Sequence, residues 1–271
     1  MSQNLVLRII VAAIFGPLII LISYLGGYFL YGMIMLLALI GLVEYMIRSN
    51  VGLTRFTFYL TLAALVFILH HSMLGEAGIA VAVFIGYFMI VTALSALRNI
   101  SPAELFESQA RLLWGVVYLG FLYPFVFAIR NISDTSGGDW LLFLFGTLWL
   151  SDTLAMFAGK TLGKRRLAPT VSPNKTIAGF LGGLLGGLIV AMIMSGWRLS
   201  EYFLLLLVGA GLAVSLAGQL GDLVESCWKR SLNIKDSSAI IPGHGGVLDR
   251  FDSLLFAVPV LYLYLKYIIY G

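Results

Sequence analysis

Residues 235–270 read KDSSAIIPGHGGVLDRFDSLLFAVPVLYLYLKYIIY. The first nineteen gather lysine, histidine, arginine, three aspartates and a glycine cluster. The rest are an apolar run of membrane-spanning character. A solvated loop accounts for charge, but not for charge set directly against such a run. The whole chain decides how to read the junction. Its 271 residues are 60% hydrophobic and 11% charged, with mean hydropathy +0.98. Soluble domains are roughly half apolar and about a quarter charged. The bilayer is therefore the solvent, and spans of about 20 residues must be helical so that the backbone satisfies itself.

Nine spans are expected, at 5–25, 28–47, 56–74, 77–97, 110–130, 140–158, 177–197, 202–222 and 253–270. The first is longer than a signal h-region and lacks a clean small-residue cleavage pattern, so it reads as a retained span. With this count, only Arg130, Arg198 and Lys266 fall on one side of the membrane. The other fourteen of the seventeen lysines and arginines fall on the opposite side, which the positive-inside rule makes cytoplasmic. The fold class is thus an all-α polytopic membrane protein with a cytoplasmic N-terminus and an active site at the cytoplasmic membrane face. Residues 1–130 form a plain scaffold. Residues 131–271 carry the long polar loops 159–176 and 223–252. The single cysteine, Cys227, excludes an intrachain disulfide and a CxxC metal site. The adjacent His70 and His71 have no obvious acidic partner and read as structural.

The acids carry most of the chemistry. Asp222 and Glu225 close the eighth span, and Asp249 and Asp252 open the ninth. Both pairs have spacing three, which puts each on one helix face. Two helix ends at one depth would present four carboxylates together, and a hard cation such as Mg²⁺ would relieve their repulsion. The competing reading pairs them with Lys229, Arg230 and Arg250. Asp152, inside LWLSDTLAMFAGK, is an intramembrane carboxylate and so a candidate by default. Glu44 reads as a helix-surface ion pair with Arg48 at i+4.

The loop GKTLGKRRLAPTVSPNKTIAGF, 159–180, holds Lys160, Lys164, Arg165, Arg166 and Lys175. Positive-inside topology explains it cheaply, as does attraction to anionic headgroups. The segment SPNKT also suggests a phosphate cradle, with Ser172 capping the seventh span, Pro173 near its start and Lys175 beside its positive end. The glycines at 179, 182, 183, 186 and 187 read first as close helix packing.

The segment SCWKRSLNIKDSSAIIPGHGGVLDRFDS, 226–253, resembles the signature of phosphatidate cytidylyltransferases, also called CDP-diacylglycerol synthases. The matching positions are Ser226, Lys229, Arg230, Lys235, Asp236, Ser238, Pro242, His244, Gly245, Gly246, Asp249, Arg250 and Asp252. Trp228 departs from the usual aliphatic residue or phenylalanine. The resemblance covers about residues 140–260. It implies transfer of CMP from CTP to phosphatidate with release of pyrophosphate, dependent on Mg²⁺ (Mn²⁺ as a substitute), with room for a second cation, divalent or monovalent such as K⁺. It implies Asp222, Asp249, Lys235, His244 and Arg250 as catalytic residues. The metal ligands would be Asp222, Glu225, Asp249 and Asp252. Substrates would be held by Lys164, Ser172, Lys175, Thr176, Lys229, Arg230, Gly245, Gly246 and Asp152. The expected partners are CTP, phosphatidate and the lipid bilayer, with no nucleic acid. The glycine-rich spans make a homodimer reasonable. The expected location is a bacterial inner membrane. Two rivals stand beside this reading: a CTP-dependent lipid-alcohol kinase and a cation-coupled transporter.

Overall fold

The computed structural model describes residues 3–49, 54–98, 101–238, 240 and 245–271. It consists of α1 (Gln3–Leu25), α2 (Gly27–Arg48), α3 (Arg55–Met73), α4 (Ala77–Ala96), α5 (Pro102–Gly120), α6 (Pro124–Arg130), α7 (Gly137–Leu162), β1 (Arg166–Ala168), β2 (Ser172–Thr176), α8 (Ile177–Ser195), α9 (Leu204–Ser231) and α10 (Leu248–Tyr264), which continues into a π-turn at Leu265–Ile269. Among the described residues, eight helical segments are long and apolar enough to cross a membrane, counting α5 with α6 and α10 with its π-turn; α1 contributes a shorter apolar stretch, Ala13–Leu25. The protein is an integral, all-α polytopic membrane protein carrying one small β-hairpin.

Each expected span corresponds to a helix, but several bounds move. The fifth span is broken in two. Its first part starts at 102 behind a capping box, in which Ser101 accepts from the Glu104 N–H and Glu104 accepts from the Ser101 N–H. The helix restarts at Pro124, where a missing N–H costs nothing. α9 runs on to Ser231 and α10 begins at Leu248. The charged residues 222–230 and 249–252 are therefore helical rather than loop. His71 does have an acidic partner, Glu76 at 2.6 Å, five residues on across the α3–α4 turn.

The SPNKT segment is not the start of a helix. It is strand β2, antiparallel to β1 with Arg166 opposite Thr176 and Ala168 opposite Ser172. Thr176, not Ser172, caps α8 by accepting from the Gly179 N–H at 3.1 Å. Pro173 is harmless in a two-stranded hairpin, where an edge strand needs few ladder donors.

Two clusters of helix ends mark the two faces of the bundle. At one end Arg130 donates to the carbonyls of Ser23 and Tyr24, each at 3.0 Å, and Arg198 pairs with Asp139 at 3.0 Å. At the other, α2, α9, α10 and the described residues between α9 and α10 converge. α7, α8 and α9 form the tightest part of the bundle. A side chain at Gly182 would meet Ala158 and the Leu154 carbonyl, one at Gly186 the backbone of Ser151, and one at Gly187 the Gly211 carbonyl. The glycines thus divide between two neighbours, and close packing is their role.

Gly187→Val should cost about 1–3 kcal/mol, because the obstruction is backbone and cannot rotate away. Gly32 on α2 has open space at its Cβ position, so Gly32→Ala should leave stability unchanged or slightly raised. Thermal unfolding in detergent distinguishes the two. Equal behaviour would contradict the packing account.

Candidate active site

The converging end contains two charged clusters of different character. In the first, Lys229 is nearly buried. Its ammonium lies 2.7 Å from Asp249 Oδ1 and 3.2 Å from Glu225 Oε1, and the two carboxylates are only 3% and 2% exposed. Asp249 Oδ2 accepts from the Ser237 N–H (2.8 Å), the Ser237 hydroxyl (2.9 Å) and the Gly246 N–H (2.9 Å). A buried charge needs this many partners. It also leaves Asp249 little capacity for anything else. Gly245 adopts φ +88° and Asp249 would crowd a side chain there. At Gly246 a Cβ would collide with Glu44 and Ser237. Both positions thus require glycine.

The second cluster is open. Lys175 on β2 lies 2.6 Å from Asp222 Oδ2, with the two side chains 25% and 33% exposed. The ammonium nitrogen itself is buried against that carboxylate and makes no well-aligned hydrogen bond. Asp152 on α7 is exposed and lies in the field of Asp222, Lys175 and Arg250. Asp252 on α10 is in the field of Asp222 and Asp152 and also of Glu225. One Asp252 oxygen accepts from the N–H of Ser253 at 2.6 Å. Elements from four parts of the chain therefore set three acids and two cations within one another's electrostatic reach, with Lys175 and Asp222 in direct contact.

The four acids expected to share a metal do not meet at a point. Among the described residues, no three His, Cys, Asp or Glu are grouped closely enough to hold an ion by themselves. The i, i+3 faces are real, but Glu225 and Asp249 turn to Lys229 while Asp222 turns to Lys175. For the first two, the ion-pair reading describes the geometry. Asp222 and Asp252, with Asp152 beside them, remain the oxygen donors open to a cation. That set fits Mg²⁺, which uses one or two carboxylates and completes its shell with water and phosphate.

Other expected site residues take various places. Thr176 is buried as the α8 cap, and Ser172 sits half-buried in β2. Arg230 donates to the carbonyls of Val171 (3.3 Å) and Ile234 (2.9 Å), pinning the hairpin turn to the end of α9. Lys164, Lys235 and Arg250 are exposed. His244 and Pro242 lie outside the described residues.

Glu44 overturns its sequence reading. It forms no ion pair with Arg48. It is 2% exposed, and Arg48 instead donates to the Ser237 carbonyl at 2.7 Å. The Glu44 carboxylate accepts from the hydroxyls of Ser237 and Ser238 and from the N–H groups of Val247 and Leu248. One signal was legible: Glu44 is the sole acid in the first 75 residues, within an apolar helix. The indole of Trp228 adds a link to Ser49 at 3.1 Å and stacks on Tyr45.

Known proteins match this chain in a consistent way. The phosphatidate cytidylyltransferase of Staphylococcus aureus (strain COL) is 44% identical over 156 residues, and the chain covers only 58% of that relative's length. That of Staphylococcus haemolyticus (strain JCSC1435) is 36% identical over 266 residues, 96% of this chain and 97% of the relative. That of Bacillus subtilis (strain 168) is 39% identical over 183 residues, 67% of each. The model of the cytidylyltransferase family matches residues 6–268. A match of that extent settles membership: the chain belongs to the cytidylyltransferase family.

Proposed function

We propose that the protein transfers CMP from CTP to phosphatidate, giving CDP-diacylglycerol and pyrophosphate, at the cytoplasmic face of a bacterial inner membrane. The observation that carries this reading is the open cluster of Lys175, Asp222, Asp152, Asp252 and Arg250. It gathers both signs of charge at one end of an apolar bundle, where a water-soluble anion and a lipid headgroup can meet. The named relatives support the choice of substrates.

The acceptor phosphate monoester is already anionic at neutral pH, with a second pKa of about 6. It needs no strong base, and the reaction needs no protein nucleophile. The demand is to bring two anions together in line and stabilise the charge that passes to the leaving pyrophosphate. Lys175, with no well-aligned hydrogen bond of its own, and Arg250, on the exposed side of α10, are suited to hold phosphate oxygens. Asp222 and Asp252 would hold Mg²⁺, which when bound neutralises triphosphate charge and polarises the attacked phosphorus. Lys235, Lys164 and the basic hairpin add positive potential that draws CTP to the surface. Asp249 and Lys229 serve by holding the framework. The lipid-alcohol kinase is the second reading, since a hydroxyl acceptor would require a base and Asp152 is exposed beside the cluster. Supplying the purified protein with CTP and Mg²⁺ separates the two. Pyrophosphate should appear with phosphatidate and not with a polyprenol. CDP release on a polyprenol instead would reject the proposal.

Three outcomes follow from the geometry. Asp222→Asn should cut turnover on the order of 100-fold or more with thermal stability intact, because it removes charge where charge binds. Asp249→Asn should lose activity and also up to about 3 kcal/mol of stability, because it breaks a buried pair. If Asp249→Asn unfolds at the wild-type temperature, the framework role is wrong. Lys175→Ala should raise KM for CTP or lower kcat far more than Arg166→Ala. Equal losses that vanish at high salt would reduce the hairpin to a membrane-surface patch. For orientation, Thr170→Cys in a Cys227→Ser background should resist an impermeant thiol reagent on intact cells, while Ser200→Cys should react. The reverse pattern would invert the topology.

A further inference from the structure

We propose that Glu44 is a positioning residue that clasps the two ends of the 237–248 segment and so sets the open cluster on α9 and α10 in working register. The argument is geometric. Oε1 accepts from the Ser238 hydroxyl at 2.6 Å and the Val247 N–H at 3.0 Å. Oε2 accepts from the Ser237 hydroxyl at 3.2 Å and the Leu248 N–H at 3.0 Å. Each oxygen thus faces one donor from the segment's start and one from its end, the single Ser237 hydroxyl proton being shared with Asp249 Oδ2, its nearer acceptor at 2.9 Å. The carboxylate closes the segment as a staple would, from a helix nearly two hundred residues away in sequence. Two of the donors are the N–H groups of Val247, which precedes α10, and of Leu248, its first residue; the helix has no side-chain cap of its own. Glu44 supplies that cap in trans, and its charge sits where the helix dipole favours it.

The clasp reaches the chemistry in two steps. It fixes the first turn of α10, and that turn carries Asp249 and Arg250, with Asp252 at the start of the next. It also holds Ser237, whose hydroxyl lies between Glu44 Oε2 and Asp249 Oδ2, 3.2 and 2.9 Å away. Asp249 in turn holds Lys229 on α9, one helix face from Asp222 and Glu225. A slack clasp would let α10 rotate or fray, and Asp252 would leave Asp222. Gly246 must be glycine because the clasp occupies its Cβ position. Arg48 and Ser49, one turn beyond Glu44 on α2, add the Ser237 carbonyl and Trp228 contacts. The end of α2 thus adds polar contacts to the packing that Tyr118 and Tyr123 make on Phe256 and Phe251 of α10. The kinetic part of this inference rests on the cytidylyl-transfer reading. The structural part does not.

Three variants in detergent or nanodiscs test it. Glu44→Gln keeps the shape but turns one acceptor oxygen into an NH₂ facing donors. Glu44→Asp keeps the charge on a shorter arm. Ser238→Ala removes one donor and leaves the carboxylate in place, which guards against a Glu44 variant that does not fold. Hydrogen exchange at Val247, Leu248 and Ser237 should quicken on the order of tenfold or more in Glu44→Gln, with α3 and α4 unchanged, since charge-assisted hydrogen bonds are lost locally. At a temperature where the variant is fully folded, kcat should fall on the order of 10- to 100-fold while KM for phosphatidate stays near wild type. Glu44→Asp should recover part of kcat, and Ser238→Ala should show a smaller loss in the same direction. Unchanged exchange at the clasped amides overturns the proposal. So does a normal kcat per folded molecule. If the wild type makes no CDP-lipid, the functional reading fails by itself, and the exchange experiment still decides the clasp.

Discussion

The Lys229–Asp249 contact is the constraint on which the converging end of the bundle depends. An ammonium and a carboxylate are almost fully removed from water there, 2.7 Å apart. Burying such a pair is costly, and leaving either half alone costs more. The pair therefore fixes α9 against α10 at one depth. Its remaining capacity is used to order the chain between them: Asp249 takes the Ser237 and Gly246 amides, and Glu44 takes what is left. The bilayer keeps charge out of most of the span interiors, so the charged residues gather near the helix ends.

That end divides its labour between closed and open charges. Glu44, Lys229 and Asp249 are shut in and satisfied by protein, while Glu225 is shut in with only its ion pair to Lys229. Asp222, Asp152 and Arg250 are accessible in part or whole, and the Lys175 side chain is partly exposed with its ammonium nitrogen tucked against Asp222. The glycine-packed bundle of α7, α8 and α9 brings Asp152 and Asp222 near each other, because helices in contact through glycine approach closely. The hairpin then lays Lys175 over them, held by Arg230. Rigid support beneath, with unspent charge above, is the arrangement that binding two phosphate compounds requires.

Much of this was legible in the sequence, and the failures have physical causes. The helices were readable because hydropathy is a local property and the bilayer enforces it. The glycine packing on α8 was readable from its spacing. The hairpin was missed because Ser172 and Pro173 are also helix-start residues, and a five-residue strand has no periodicity long enough to compete. The two acid pairs were found, and the competing reading named Lys229 as a partner, but not which acids take it nor that Lys175 takes Asp222. Spacing gives the face of one helix, whereas the rotation of α9 against α10 decides which acid meets Lys229. Glu44 was misread because Arg48 at i+4 offered a local partner, while its actual partners lie across the fold.

On the proposed function, the open cluster handles the α-phosphate of CTP and releases pyrophosphate. Following the label from CTP carrying ³²P at either the α or the γ position, in micelles containing phosphatidate and Mg²⁺, tests it directly. The α label should enter the lipid fraction and the γ label should leave as pyrophosphate, with both transfers lost in Asp222→Asn. Entry of the γ label into lipid, or transfer that survives Asp222→Asn, would contradict it.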